Sequence, residues 1–206
     1  MTKDRIIGLA GKMQSGKTTI ADFLCENHGY KKLSIANGLK QLCADMLGVD
    51  SIEELNKIKE VPFDIPVIPD DRWINAVAAA LNLPKEQLEK DFENVRLHNV
   101  REVLQVIGTD IIRKYNPLWH IQQVINKIKS SDDNMRFVID DVRFPDEKLL
   151  LEELGATAYY VVRPMKDNES LHHPSEASLT EDDFNSNQLI YNNGTIVELY
   201  QKIKMI

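Results

Sequence analysis

Cysteine is scarce in this chain: Cys25 and Cys43 are the only two in 206 residues, with no CxxC and no Cys/His metal spacing. That excludes a disulfide framework and a zinc site of the usual ligand pattern. The expectation is two reduced, structural thiols in a cytoplasmic protein, with no metal held by protein ligands alone. Basic residues are outnumbered, 25 Lys and Arg against 32 Asp and Glu, for a net charge of -7. Phosphate polymers are repelled on average by such a chain, which argues against nucleic acid or an anionic membrane as partner. No apolar run reaches the length that crosses a bilayer, and the run near the N-terminus is too short, and too soon broken by glycine, for a secretory leader.

What is present is the balance of a globular protein, 43% hydrophobic and 28% charged, in a length that suits one sizeable core with an insertion. Apolar runs alternate with helical patterns. "DRIIGLA", "YKKLSIA", "MRFVIDD", "ATAYYVVRP" and "NQLIYNNG" read as strands; "KTTIADFLCENHG", "NGLKQLCADMLG", "PDEKLLLEELG" and "TIVELYQKIKMI" read as helices. The order predicts an α/β domain with a five-stranded, mostly parallel sheet and helices on both faces. Two polar excursions interrupt it, about 49–99 and about 164–186. In the first, "KEVPFDIPVIPDDRW" holds three prolines and is expected to form no regular element. It is flanked by polar helical pieces, "SIEELNKIKE" and "PKEQLEKDFENV". "NVREVLQVIGTDIIRKY" is expected to be one helix, with Val103, Val106 and Ile107 on its apolar face.

"GKMQSGKT" fits G-x-x-x-x-G-K-[ST] at Gly11, Gly16, Lys17 and Thr18. Two glycines let the backbone fold so that successive N–H groups face phosphate oxygens. The helix that follows adds its positive end. Lys17 reaches the β- and γ-phosphates, and the Thr18 hydroxyl suits Mg²⁺. A strand before the loop and a helix after it complete the context, so Gly11, Gln14, Ser15, Gly16, Lys17, Thr18 and Thr19 form the candidate ATP site. Asp140 and Asp141, at the end of a second apolar strand, are candidates for the carboxylate behind the metal; they could equally cap the next helix.

Phosphoryl transfer to a small acceptor needs a second anion site. Arg101, Gln105 and Thr109 recur at i, i+4 and i+8, on one helical face opposite the apolar stripe. Arg143 and Glu147 follow the paired aspartates. Arg163 stands at the root of the second polar excursion, a candidate lid that also carries His173 and Glu176.

The loop "GKMQSGKTT", the segment "REVLQVIGTDIIRKYNPLW", "VIDDVRFPDE", "GATAYYVVRP" and "HPSEASL", in this order and spacing, resemble the deoxynucleoside monophosphate kinases of tailed bacteriophages. "IGTD" and "DVRFPDE" are the more specific elements. The resemblance implies a single domain over 1–206 with a three-layer P-loop, adenylate-kinase-like fold, an acceptor-binding insertion and a lid. It implies ATP with Mg²⁺ as donor and a deoxynucleoside 5′-monophosphate as acceptor, in the cytoplasm of a host if the chain is phage-encoded. It also suggests a homodimer. Carried over by position, Arg101, Gly108, Thr109, Trp119, Asp141, Arg143 and Glu147 would line the acceptor site, with Ser34, Ala36 and Lys40 near it and Arg72 as a contact from the divergent middle segment. Met13 and Gln14 stand where relatives carry basic residues, which bears on the choice of base.

These residues outline a mechanism of direct in-line transfer. Lys17, Arg163 and Mg²⁺ on Thr18 and Asp140 or Asp141 would neutralise the moving phosphoryl group, while Arg101 and Arg143 hold the acceptor. Two rivals share the donor loop: a kinase of another phosphorylated metabolite, such as a dephospho-coenzyme A kinase, and a nucleotide-binding regulator without transfer activity.

Overall fold

The computed structural model describes residues 4–164 and 178–204. His173, Glu176 and most of the expected lid lie outside the described residues. The chain divides into two compact units, one of them Ala36–Gln123 and the other formed by the chain on either side.

The flanking unit holds the sheet. Its strands are β1 (Ile6–Ala10), β2 (Tyr30–Leu33), β5 (Arg136–Ile139), β6 (Thr157–Val162) and β7 (Leu189–Tyr191), in the order β2-β5-β1-β6-β7. Every neighbouring pair is parallel, where the sequence called for a mostly parallel sheet. All five residues of β1 are buried, as a central parallel strand covered on both faces requires. On one face Ile7 and Leu9 pack with Ile20, Phe23 and Leu24 of α1 (Lys17–His28) and Leu199 and Ile203 of α10 (Ile196–Ile203). Phe23 and Tyr200 stack there with centroids 4.2 Å apart. Gly8, pointing the other way, faces Leu151 of α9 (Pro145–Glu153). Three layers result, as expected. The chain leaves β1 toward one side of the sheet for β2 and β5 and toward the other for β6 and β7. Sheets whose strand order reverses in this way bind their ligands beyond the carboxyl ends of the strands, at the point of reversal.

The second unit has its own core, in which Leu39, Cys43, Leu55, Trp73, Val77, Phe92, Leu97, Val103, Ile107 and Ile111 are buried together. Burial pushes the Cys43 thiol up to about 12, so it packs as a small apolar group. The elements are α2 (Asn37–Leu47), α3 (Ile52–Lys57), β3 (Pro62–Val67), α4 (Asp71–Leu81), α5 (Glu89–Phe92), β4 (Leu97–Asn99), α6 (Val100–Gln105) and α7 (Arg113–Tyr115). α8 (Trp119–Lys129) carries the chain onward.

Three features of this unit differ from those expected. The proline-rich stretch does contain a regular element, because among the described residues β3 pairs with β4 alone, and its register shifts between Pro62 and Val67. A strand with one open edge tolerates residues that cannot donate to a ladder. A helix not anticipated, α4, starts at Asp70, whose carboxylate accepts from Arg72 N at 2.9 Å; it buries Trp73, Val77 and Ala78 on one stripe. The expected polar helix "PKEQLEKDFENV" is instead a 3₁₀ turn over Lys85–Gln87 and the four-residue α5. Among the described residues no helix is long and apolar enough to cross a membrane.

Candidate active site

β1 ends in the phosphate loop, and the loop's shape depends on two glycines. Gly11 has φ 134° and Gly16 φ 107°. A Cβ at Gly11 would lie 2.6 Å from the Val161 carbonyl oxygen, and one at Gly16 would lie 2.6 Å from Asn192 Nδ2. No other residue type fits either place. Gln14, at φ 60°, takes the tight turn between them as a left-handed non-glycine, and Arg163 Nη1 donates to its carbonyl at 3.0 Å. Asn192, just past β7, donates from Nδ2 to Ser15 O at 2.8 Å while its own N–H donates to Val162 O at 2.7 Å. The loop is thus pinned to the ends of two further strands.

Inside the loop, Lys17 Nζ donates to the carbonyls of Gly11 and Lys12, both at 2.7 Å, which holds the ammonium within the curve. Ser15 is buried at 2% exposure, and its Oγ has no hydrogen-bond partner among the described residues. A buried hydroxyl without a partner is costly. α1 follows Gly16 with no side-chain cap and no acidic residue in its first turn, and the positive pole of such a helix end suits an anion. A di- or triphosphate meets each of these needs, and the residues present fit one.

The paired aspartates separate into two tasks. Asp140 Oδ2 accepts from Thr18 Oγ1 at 3.1 Å and stands 3.1 Å from Lys32 Nζ. A hydroxyl bonded to a carboxylate at the head of the phosphate loop is a donor set suited to Mg²⁺, a hard cation that takes few protein ligands and keeps waters and phosphates. Asp141 instead accepts from Ser34 Oγ at 2.7 Å and from Ile35 N at 2.8 Å, closing the chain after β2 onto the end of β5. Lys32 also bridges to Asp22 Oδ1 on α1 at 3.1 Å. Burial works against its charge, but the two carboxylates outweigh it and hold the ammonium above its ordinary range.

Glu147 proves to be a buried residue at 3% exposure. Its Oε2 accepts from Arg143 N at 2.9 Å and Phe144 N at 3.1 Å, at the start of α9. It shapes the turn from which the exposed Arg143 side chain projects.

The remaining expected residues lie in the second unit. Ala36 begins α2 and its carbonyl takes Lys40 N at 3.0 Å; Lys40 itself is half-buried. Arg72 is exposed and paired with Asp70 at 2.8 Å. Arg101 is paired with Glu60, its Nε 2.9 Å and 3.0 Å from the two carboxylate oxygens. Trp119 is buried at 6% exposure in that unit's core, and its indole N–H donates to Ala80 O at 2.8 Å.

The expected single helix around "IGTD" is α-helical only to Gln105; Val106–Ile112 winds as a π-helix. Each i+4 step in an α-helix overshoots a full turn by roughly 40°, whereas in the wider π turn it falls short. The π segment therefore undoes the drift, and the exposed Arg101, Gln105 and Thr109 align more closely than α-helical spacing provides. Gly108 lies on the opposite, buried side, where a Cβ would meet Leu39 Cδ2 at 2.3 Å. His120, missed in the sequence, is buried, and its Nε2 meets the Gly108 carbonyl at 3.2 Å. Only the packing reveals it, since a lone histidine on a helix carries no pattern.

A parallel sheet in this order, with a phosphate loop leaving its central strand and a carboxylate on the loop threonine, is the fold of the P-loop kinases. The sequence profile of one family within that class, described as "Deoxynucleotide monophosphate kinase", matches residues 51–203. The chain belongs to that family, and its enzyme class is that of the nucleoside monophosphate kinases. A putative deoxynucleotide monophosphate kinase of Acanthamoeba polyphaga mimivirus is 28% identical, covering 96% of this chain and 93% of the relative. The deoxynucleotide monophosphate kinase of Enterobacteria phage T4 is 25% identical, covering 97% of each. Among solved structures, the dephospho-CoA kinase from Campylobacter jejuni is a loose likeness, with TM-score 0.44 and 14% identity over 98% of this chain and 94% of that one.

Proposed function

We propose that this kinase transfers the γ-phosphoryl group of ATP directly to the 5′-phosphate of a deoxynucleoside monophosphate. The observation that carries the reading is the bond from Thr18 Oγ1 to Asp140 Oδ2, set beside Lys17 in a loop whose glycine turns and buried Ser15 hydroxyl suit phosphates. The acceptor class comes from the family and from relatives whose names specify deoxynucleotides.

In the proposed step the bond from the γ-phosphorus to the β,γ-bridging oxygen breaks, and its electron pair leaves with ADP. An oxygen of the acceptor phosphate forms the new P–O bond, and the product is the deoxynucleoside diphosphate. No general base is required, because the attacking phosphate oxygen is already anionic. The protein's contribution is placement and charge. Lys17 neutralises the donor phosphates from within the loop; Arg163, anchored beside Gln14, and Arg143, projecting from the turn that Glu147 shapes, neutralise charge on the moving group. Thr18 and Asp140 are the residues that would hold Mg²⁺, which when bound spreads the charge of the β- and γ-phosphates.

For the acceptor, the aligned face of Arg101, Gln105 and Thr109 suits a phosphate or a base edge, with Lys40 and Arg72 as further cations. Ser34, Ala36 and Asp141 shape the chain after β2. Gly108, Trp119 and Glu147 act by packing and capping.

The test is a panel of deoxynucleoside monophosphates, the matching ribonucleotides and dephospho-coenzyme A with labelled ATP. Labelled deoxynucleoside diphosphate is the expected product. Turnover confined to dephospho-coenzyme A, or tight ATP binding with no transfer to any acceptor, would overturn the proposal.

A further inference from the structure

Lys32 belongs to no motif in the sequence, yet its ammonium is the third member of the Thr18–Asp140 pair. β2 pairs with β5 so that Lys32 lies opposite Val138, two residues before Asp140, and the side chain runs on toward the strand ends. Nζ stands 3.1 Å from Asp140 Oδ2 and 3.1 Å from Asp22 Oδ1. Thr18 Oγ1 donates to the same Oδ2, also at 3.1 Å. One carboxylate oxygen thus takes both donors, leaving Oδ1 as the acceptor that remains.

We propose that Lys32 is a positioning residue for the metal-holding carboxylate. It fixes the Asp140 side chain so that Oδ2 receives the Thr18 proton, which turns the Thr18 lone pairs and Asp140 Oδ1 toward the cation and its waters. Asp22, one turn along α1 from Thr18, anchors the lysine from its other side. Two carboxylates around one ammonium leave the cluster net negative, so it still attracts a divalent cation. Lys32 is only partly exposed, at 34% of its side chain, and Asp140 less so, at 10%; bulk water screens such a contact less than a surface pair. Removing a group that orients metal ligands in this way typically costs about tenfold to a hundredfold in metal affinity.

The inference rests on reading Thr18 and Asp140 as the metal pair, and the experiment separates the two. The β,γ-imido analogue of ATP is titrated calorimetrically into the full chain across a series of Mn²⁺ concentrations, and again in EDTA. Lys32→Met is expected to raise the Mn²⁺ concentration for half-maximal effect about tenfold, with affinity in EDTA unchanged. Lys32→Arg, able to span both carboxylates, restores the original dependence. An unchanged or tightened Mn²⁺ dependence in a folded Lys32→Met overturns the proposal; if that variant does not fold, Asp22→Asn decides in its place by the same criterion. Thr18→Ala and Asp140→Asn run alongside. No shift in those two sinks the metal-pair reading itself, whereas a shift there and none at Lys32 sinks this inference alone.

Discussion

The Arg101 guanidinium is closed on the Glu60 carboxylate, with Nε and Nη2 both donating to it. The two side chains are 59% and 65% exposed, so solvent screens the pair and it adds little to stability. Its consequence is competition, because the fork that grips Glu60 is the fork an acceptor phosphate would use. Glu60→Gln should lower KM for the deoxynucleotide about twofold to fivefold, with kcat and melting temperature unchanged. Arg101→Ala should raise KM about tenfold to a hundredfold. Steady-state kinetics at saturating ATP measure both.

Lys17→Ala should abolish transfer and leave the fold intact, because the Lys17 ammonium bonds to carbonyls of its own loop, Gly11 O and Lys12 O. Circular dichroism and thermal unfolding check the fold. Near-normal phosphorylation by this variant would end the mechanism proposed for the donor side.

Gly11→Ala should damage the loop itself. The new Cβ meets a backbone oxygen, not a side chain that could swing away, and the φ of 134° adds strain of about 1–3 kcal/mol. A lower melting temperature together with weakened binding of the imido analogue is the expected pair of results. A drop in melting temperature alone would mean that the loop relaxes without losing its cradle.

His120 should make the protein acid-sensitive. Burial holds its ring below the ordinary value of 6.5, with the charge of Arg113 adding to the effect and the Gly108 hydrogen bond opposing it. The unfolded chain therefore takes up a proton near pH 6.5 that the folded chain refuses. The contribution to stability is complete above that pH and is lost as pH falls toward the depressed folded value, at no more than about 1.4 kcal/mol per pH unit. Urea midpoints at pH 8 and pH 5.5 should differ less in His120→Gln than in the unaltered chain.

Much of the sheet unit was readable because parallel strands buried on both faces must be largely apolar, as "IIGLA" and "AYYVV" are. The phosphate loop was readable because its backbone admits only glycine at Gly11 and Gly16. The second unit resisted for opposite reasons. β3 hides behind Pro62 and Pro66, which an edge strand accepts, and α4 was obscured by the proline-rich and polar stretches on either side. π winding has no residue signature, so the i, i+4, i+8 spacing placed Arg101, Gln105 and Thr109 on one face but could not show that the Val106–Ile112 segment tightens their alignment. Trp119 and Glu147 have the chemistry of ligand contacts, and only the packing shows that both are buried, Trp119 bonded to Ala80 O and Glu147 to the backbone N–H groups of Arg143 and Phe144. Lys32 and Asn192 act through strand register, which no local pattern records.

The strand order also governs how the chain must assemble. β1 has β5 and β6 as its neighbours, and both are made long after it, β5 ending at Ile139. During synthesis the phosphate loop therefore emerges attached to a strand with nothing to pair with, while all of Ala36–Gln123 can collapse around its own core first. Contacts so distant in sequence are slow to form and leave apolar edges open meanwhile. The loop that leaves β1 is thus held in place by strands that the chain supplies only much later.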